Sequence, residues 1–417
     1  MPRDFFTIDD FDLKGKTLLL RVDINSPINP ATREILDDTR ICHHIKTLRE
    51  LFDSKVVLLA HQSRPGKKDF TNLEKHSKVI SSKLGKKVTY LDDFFGSRAQ
   101  SGIKNMKKGD IILLENARFY AEEHVLKGKD YPTQAESHMV SHLSKYADYF
   151  VNDAFAAAHR SQPSLTGFTE VLPSLAGRVM EKEITMLKKA MHNKERPSIA
   201  VLGGVKVFDS LEVMQNMLGN NVVDKVLTTG VVANIFLLAK GYDLGEPNIT
   251  FLEKEVGEYE ELTEQAKRLD SEFGGRIVVP TDLVLNDNGQ RKAILVDGLP
   301  ASLQIFDIGL DTAVEYRKQI LEAKNIILNG PAGVFEIEEF AVGTKIIYNA
   351  IAESKGFSVI GGGETVAAAR NLKLENKVNH ISTGGGACIN FLAGKSMPAI
   401  DALKRSKSLY EEGHYKC

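Results

Sequence analysis

The sequence predicts an α/β fold of two Rossmann-like, parallel-sheet domains joined by an interdomain helix and hinge, and three observations predict it. Short apolar runs alternate with helical patterns along the whole chain, the arrangement of βαβ units that feed a parallel sheet. The length of 417 residues exceeds what one core usually organises, since domains run roughly 100–200 residues, so two bodies and a cleft are expected. Between the halves, residues 175–194 carry Met180, Ile184, Leu187 and Met191 at helical spacing in a charged segment, as a connecting helix would.

In chain order, the first half offers strands at 17–22, 56–60, 111–114 and 149–151. The second offers them at 198–202, 226–229, 277–279, 326–328, 358–360 and 380–382. These runs are too short for helices and are rich in Val, Ile and Leu, as strands covered on both faces are. The boundary is expected at the connecting segment, giving domains 1–175 and 176–395. The last stretch, 396–417, turns polar and basic after Pro398 and reads as a helix packed on a surface or a partly ordered tail.

Composition excludes several classes. Hydrophobic residues make up 42% and charged residues 26%, an ordinary globular balance that supports neither disorder nor a fibrous repeat. Lys plus Arg number 54 against 55 Asp plus Glu, so no nucleic-acid or membrane-surface partner is expected and any anion site must be local. No apolar run approaches the ~20 residues needed to cross a bilayer, and the first ten residues lack a signal-like apolar core. Cys42, Cys388 and Cys417 show no metal spacing and no framework of pairs, which fits a reducing compartment. The expectation is a cytoplasmic protein, a monomer with a homodimer left open.

The residues just past each strand differ between the halves, and ligands of open α/β sheets bind beyond the carboxyl ends of the strands. In the first half these positions carry Arg21, Asp23 and Asn25, then His61 and Arg64, then Arg118, then Asn152, His159 and Arg160. Clustered guanidinium groups suit a small, multiply anionic substrate through bidentate charge-assisted hydrogen bonds. In the second half they carry Gly203 and Gly204, Gly230, Gly330 and Gly333, Gly361 to Gly363, and Gly384 to Gly386. Glycines let backbone N–H groups approach a polyphosphate at a helix N-terminus. The clearest instance is the run from Ser358 through Gly361, Gly362 and Gly363 into Glu364 and Thr365: strand, glycine turn, helix start.

Each feature also has a plain structural explanation. A lone Gly-Gly after a strand is commonly a tight turn, and a single Arg there is commonly a solvated surface charge. His43 and His44, adjacent in a helical stretch, read as surface or packing residues without a role. Gly394-Lys395-Ser396 looks like the end of a P-loop, but Ile389 stands where its first glycine should be.

The motifs around these residues resemble those of phosphoglycerate kinase from end to end. They are Arg21-Val22-Asp23-Ile24-Asn25-Ser26-Pro27, His61 with Arg64-Pro65, Leu114-Glu115-Asn116-Ala117-Arg118-Phe119, and Val151-Asn152-Asp153-Ala154-Phe155 leading to His159-Arg160. The second half adds Leu202-Gly203-Gly204-Val205-Lys206-Val207, Asn329-Gly330-Pro331-Ala332-Gly333-Val334-Phe335-Glu336, Gly361-Gly362-Gly363-Glu364-Thr365, and Ser382-Thr383-Gly384-Gly385-Gly386-Ala387. The resemblance implies reversible phosphoryl transfer between 1,3-bisphosphoglycerate and ADP, giving 3-phosphoglycerate and ATP, with Mg²⁺ carried on the nucleotide. It implies that Arg21, Asp23, Asn25, Arg40, His61, Arg64, Arg118 and Arg160 hold the phosphoglycerate. On the nucleotide side it implies Gly203, Gly204, Lys206, Gly230, Asn329, Glu336 (toward the ribose), Gly361, Gly362, Gly363 and Thr365, with Glu364 near the metal. Arg40, Lys206, Gly362 and Gly363 would serve the group in flight, and the segment 396–417 would return to the first domain. Two positions depart from the family pattern: Ser210, where many relatives carry a second lysine, and Glu364, where Asp is common. Ala156-Ala157-Ala158 and Gln62-Ser63 are closer to archaeal versions.

A carboxylate acceptor is already ionised near neutral pH, so the reaction requires no general base, and catalysis reduces to positioning and charge stabilisation with closure of the two domains. Two other classes stand beside this one. A non-catalytic nucleotide-binding regulatory protein on the same fold is motivated by Ser210 and Glu364. A dehydrogenase-like dinucleotide binder is motivated only by glycine-rich strand ends, and no glycine fingerprint opens the first βα unit.

Overall fold

A computed structural model describes residues 3–415, and Cys417 lies outside the described residues. The chain divides into two compact units, one running up to Ile184 and including the segment from Ser396 onward, the other Thr185–Lys395. The division falls inside the helix Arg178–Met191 of the connecting segment.

The first unit is built on seven strands: β1 Phe6–Thr7, β2 Thr17–Arg21, β3 Lys55–Leu59, β4 Thr89–Tyr90, β5 Ile111–Leu113, β6 Tyr149–Asn152 and β7 Ser174–Ala176. They form one sheet in the order β1-β7-β6-β2-β3-β5-β4, every pair parallel. The unbroken apolar runs of β2 and β3 come from burial on both faces. Leu18, Leu20, Val56 and Leu58 point into one core, while Leu19, Val57 and Leu59 point into the other, as the two-residue period of a strand requires. The C-terminal helix Pro398–Glu411 packs on this unit: Ser406 Oγ accepts from the Ser174 N–H at 3.0 Å, Ala399 N–H donates to Ala158 O at 3.1 Å, and Arg405 pairs with Glu170.

The second unit carries β8 Ser198–Leu202, β9 Lys225–Thr228, β10 Ile277–Val278, β11 Asp282–Asp287, β12 Gln290–Leu295, β13 Ile305–Ile308, β14 Asn325–Asn329, β15 Phe357–Gly361 and β16 His380–Ile381. Six of them make a parallel sheet in the order β10-β9-β8-β14-β15-β16. The other three form a small antiparallel sheet, β12-β11-β13, that is absent from the strands expected from sequence. Its hairpin turns at Asn288 and Gly289, both at positive φ (52° and 88°), the backbone that a two-residue type I′ turn demands. Among the described residues, no helix is long and apolar enough to cross a membrane.

Candidate functional site

In the first unit the carboxyl ends of β2, β3, β5 and β6 bring the predicted basic residues into one electrostatic neighbourhood. Asp23 is buried just past β2; its Oδ1 accepts from the Asn25 N–H at 3.1 Å and its Oδ2 from Arg40 at 2.5 Å. Arg40 comes from the helix Thr39–Glu50, half exposed. After β3, Ser63 takes a positive φ of 56°, and its N–H is held by the Asn25 Oδ1 at 2.8 Å. Arg64 then points to solvent. Arg118, on the turn Ala117–Phe119 after β5, donates to the Ser63 carbonyl, while Asn116 Oδ1 accepts from the Arg118 N–H at 3.1 Å. Arg160 stands beside His159, with Arg160 Nε donating to His159 Nε2 at 3.3 Å.

The arginines press on one another. Burial, then neighbouring Arg160 and Arg21, bring Arg118 down to about 10. Arg160 is lowered by burial, with Arg40 and Arg64 adding to the effect and Asp23 opposing it. His61 is 2% exposed, and burial followed by Arg21, Arg118, Arg160 and Arg40 holds its imidazole well below the ordinary value, hence neutral at pH 7. Such a concentration of positive charge around a dry, neutral imidazole favours a multiply anionic ligand.

Arg21 differs from the rest. It is 1% exposed, with Nε donating to Ser164 Oγ at 3.1 Å and Nη2 donating to His61 Nδ1 at 2.9 Å. It lies beneath the open cluster and supports it.

His44, to which the sequence alone assigns no role, belongs to the same framework. Its Nδ1 lies 2.7 Å from Asp153 Oδ2. A carboxylate only accepts, so Nδ1 carries a proton, and Nε2 lies 3.1 Å from both the N–H and the carbonyl oxygen of Asp23. The second oxygen of Asp153 accepts from the Val179 N–H at 2.8 Å and the Met180 N–H at 3.4 Å, satisfying the first turn of the connecting helix. One buried carboxylate thus ties the start of that helix to the backbone of Asp23.

The second unit holds a cavity of about 370 Å³ at the carboxyl ends of its parallel strands. Of the predicted nucleotide residues, Gly204, Gly230, Glu336 and Glu364 line it. Gly203, Lys206, Asn329, Gly361, Gly362, Gly363 and Thr365 lie outside that lining and build its frame or rim. The Gly203 N–H donates to Asn329 O at 2.8 Å, the Gly204 N–H to Pro331 O at 2.9 Å, and the Gly330 N–H to Thr365 Oγ1 at 2.7 Å. Lys206 is exposed at the N-cap of the helix Val207–Gly219.

The triple glycine divides its work. Gly361 ends β15 where an added Cβ would lie 2.6 Å from Cys388 Sγ, so it is needed for packing. Gly362 takes φ 89°, and its Cβ would lie 2.3 Å from Asn329 Oδ1. A Cβ added at Gly363 would meet nothing within 4 Å, and the residue begins the helix Gly363–Asn371, whose first-turn N–H groups lack partners within the helix and so favour an anion. Ser210, the first departure from the family pattern, is buried with its hydroxyl unpartnered among the described residues, so it adds no charge at the rim.

The rest of the lining was not read from the sequence: Asn234, Asn248, Phe251, Leu283, Gln304 and Phe306 form a largely apolar slot with amide groups, suited to a nucleobase. Leu283 and Phe306 come from the unanticipated antiparallel sheet, and the Asn288-Gly289 turn was the signal that could have found it. Asp307 anchors this wall; burial raises its carboxyl while the Gly343 N–H and Arg291, each at 2.9 Å, hold it.

For a metal, Glu364 is the carboxylate beside the glycine frame. It is exposed, and its Oε2 lies 3.7 Å from the point a side chain at Gly204 would occupy. Among the described residues no three His, Cys, Asp or Glu gather as a self-sufficient site. One carboxylate beside a phosphate cradle fits Mg²⁺, which keeps several waters and is usually held by one or two carboxylates plus substrate phosphates. A second cavity, of about 630 Å³, is lined by Lys189, Lys324 and Lys355 among others. These lysines end or come just after the helices Arg178–Met191, Leu310–Glu322 and Val342–Glu353, where terminal carbonyls favour cations.

Comparison with known proteins decides the family. The family model described as phosphoglycerate kinase matches residues 8–395. The chain belongs to the phosphoglycerate kinase family. Phosphoglycerate kinase of Methanothermus fervidus is 52% identical over 405 residues, 97% of this chain and 98% of that protein. The enzyme of Thermoplasma volcanium is 49% identical over 409 residues, 98% and 99% of the two chains. Among solved structures, phosphoglycerate kinase from Pyrococcus horikoshii OT3 superposes with a TM-score of 0.88 at 43% identity, covering 97% of this chain and 99% of that one. The Coxiella burnetii structure gives 0.81 at 30% identity over 96% and 99%. The likeness to archaeal versions of the family agrees with these relatives, and the chain is a phosphotransferase.

Proposed function

We propose that the phosphoglycerate kinase reaction is divided between the units: the first holds 3-phosphoglycerate or its acyl phosphate, the second Mg-ADP or Mg-ATP. The observation that carries this is the contrast between the arginines gathered around neutral His61 in one unit, Arg118 and Arg160 among them lowered by burial and by neighbouring arginines, and a glycine-framed, half-apolar cavity in the other. Arg40, Arg64, Arg118 and Arg160, with His61 and Asn25, bind phosphate and carboxylate oxygens. Asp23 orients Arg40, and Arg21 supports His61 from below.

In the second unit the Asn248, Phe251 and Gln304 slot takes the base, and Glu336 the ribose. The helix N-terminus at Gly363 takes the phosphates, Gly204 leaves room for them beside it, and Lys206 stands at the phosphoryl group in flight. Mg²⁺, borne by the nucleotide and approached by Glu364, neutralises phosphate charge. The acceptor is an ionised carboxylate, so no side chain has to remove a proton. Charge on the equatorial oxygens of the transferring group meets Arg40, Lys206 and the helix N-terminus at Gly363. Transfer between ligands held on separate units calls for closure about the connecting helix, which also keeps water from the acyl phosphate.

The test is Mg-dependent ATP formation from ADP and 1,3-bisphosphoglycerate by the wild type and by Lys206→Ala. Turnover is expected to collapse in the variant. Unchanged turnover in the variant removes Lys206 from the mechanism. A folded wild-type protein that binds both ligands without turnover would instead be a non-catalytic regulatory protein on this fold.

A further inference from the structure

We propose that Glu123, Ser164 and Arg21 are positioning residues that hold His61 in its Nε2–H tautomer, so that one buried N–H is presented as a donor to an anionic oxygen of the phosphoglycerate. This rests on the assignment of His61 to the phosphoglycerate site.

Arg21 sets the tautomer, because a guanidinium has five N–H donors and no acceptor. Its Nη2 lies 2.9 Å from His61 Nδ1, so that ring nitrogen must offer a lone pair and cannot carry a proton. A neutral imidazole has one proton, which therefore sits on Nε2. The cationic ring is disfavoured by the same contact and by the surrounding Arg118, Arg160 and Arg40. Nε2 is buried and has no partner among the described residues. A buried donor left unpaired carries a desolvation penalty, which an incoming acceptor relieves. The site therefore keeps a desolvated N–H in reserve for an anion.

Arg21 can fix the tautomer only if it is itself fixed, and its remaining contacts do that. Nη1 donates to the Val22 carbonyl at 2.5 Å, and Nε donates to Ser164 Oγ at 3.1 Å. The Ser164 hydroxyl proton is committed elsewhere: it goes to Glu123 Oε1 at 2.6 Å, while Glu123 Oε2 accepts the Ser164 N–H at 3.0 Å. Ser164 Oγ is thus left facing Arg21 as an acceptor. Glu123 and Ser164 are wholly buried, with Glu123 raised by burial and drawn back down by Arg21, the cation that opposes the shift most. Every donor in the chain from Glu123 to His61 Nδ1 has one direction available. None of the first three residues needs to touch substrate for the fourth to be oriented.

The experiment is ¹⁵N NMR of the full-length protein labelled at histidine, with His61 assigned by its absence in His61→Gln. The expected wild-type result is a neutral His61 at pH 7, protonated on Nε2, whose Nε2 resonance shifts when 3-phosphoglycerate is added. In Ser164→Ala the His61 resonances are expected to move, and the KM for 3-phosphoglycerate to rise about fivefold with kcat and the KM for ADP changed less than about twofold. Glu123→Gln is expected to act in the same direction. A cationic or Nδ1–H His61 in the wild type overturns the proposal without any variant being needed. Unmoved resonances and KM in a folded Ser164→Ala would also overturn it. A fixed Nε2–H tautomer that responds to Ser164→Ala but not to 3-phosphoglycerate supports the relay and rejects the site assignment beneath it.

Discussion

Replacing Asp153 by Ala tests how the substrate side of the first unit is tied to the connecting helix. The carboxylate is fully buried and makes two distinct kinds of bond, one set to the Val179 and Met180 N–H groups and one to His44 Nδ1. Loss of a helix cap costs about 0.5–2 kcal/mol. Stranding the buried His44 donor adds about 1–3 kcal/mol, giving about 1.5–5 kcal/mol in all. That is a large share of the roughly 5–15 kcal/mol by which a domain is usually stable. Because the two units need not unfold together, the fitting readout is local: hydrogen exchange by mass spectrometry on peptides covering residues 177–184 and 41–48, beside urea unfolding. Both peptides should lose protection, and the KM for 3-phosphoglycerate should rise because the His44 ring that meets the Asp23 backbone loses its anchor. Asp153→Asn keeps one acceptor for Val179 and should cost less. A loss below about 1 kcal/mol with both peptides still protected would refute the reasoning.

Gly362→Ala forces a side chain into φ 89° and within 2.3 Å of Asn329 Oδ1. Backbone strain of about 1–3 kcal/mol plus crowding of similar size should lower stability and raise the KM for ADP, as urea unfolding and initial rates would show. Gly363→Ala, with nothing within 4 Å of the added carbon, should be far milder in unfolding. His76 is buried and its pKa falls from 6.5 to about 4 because burial disfavours the charged ring. The unfolded chain binds the proton more readily between these values, so stability should fall as pH drops from about 6.5 toward 4, by about 3 kcal/mol in the limit. Urea titrations across that range should be visibly flatter for His76→Gln. Phe251→Ala should raise the KM for ADP about tenfold by removing a ring from the base slot, leaving the KM for 3-phosphoglycerate unchanged.

The long central strands were legible because burial on both faces leaves apolar runs such as Leu18-Leu19-Leu20 and Val56-Val57-Leu58-Leu59 with nothing polar to break them. β1 and β4 span two residues each, too few for any period to register. β12 reads Gln-Arg-Lys-Ala-Ile-Leu and is largely exposed, so the antiparallel sheet was hidden despite its Asn-Gly turn, and the base slot with it. At the site, charged and glycine residues after strands announced themselves by type. The supporting residues did not: His44 looks like its neighbour His43 until the fold brings Asp153, 109 positions away, against its ring. Glu123, likewise, reads as a surface acid until it is found enclosed with Ser164.

The return of the C-terminal helix to the first unit sets an order for completing the protein on the ribosome. The first unit is made of two separated stretches of chain, whereas Thr185–Lys395 is continuous. Domains ordinarily finish in the order they are made, at about 5–20 residues per second. Here the earlier unit must wait for the later one: the roughly 200 residues of the continuous unit take about 10–40 s to synthesise at that rate. Only then does the helix Pro398–Glu411 emerge to cover β7 and Thr169. During that interval the first unit is a body with one side unfinished, and it is the nascent form that a holding chaperone would meet.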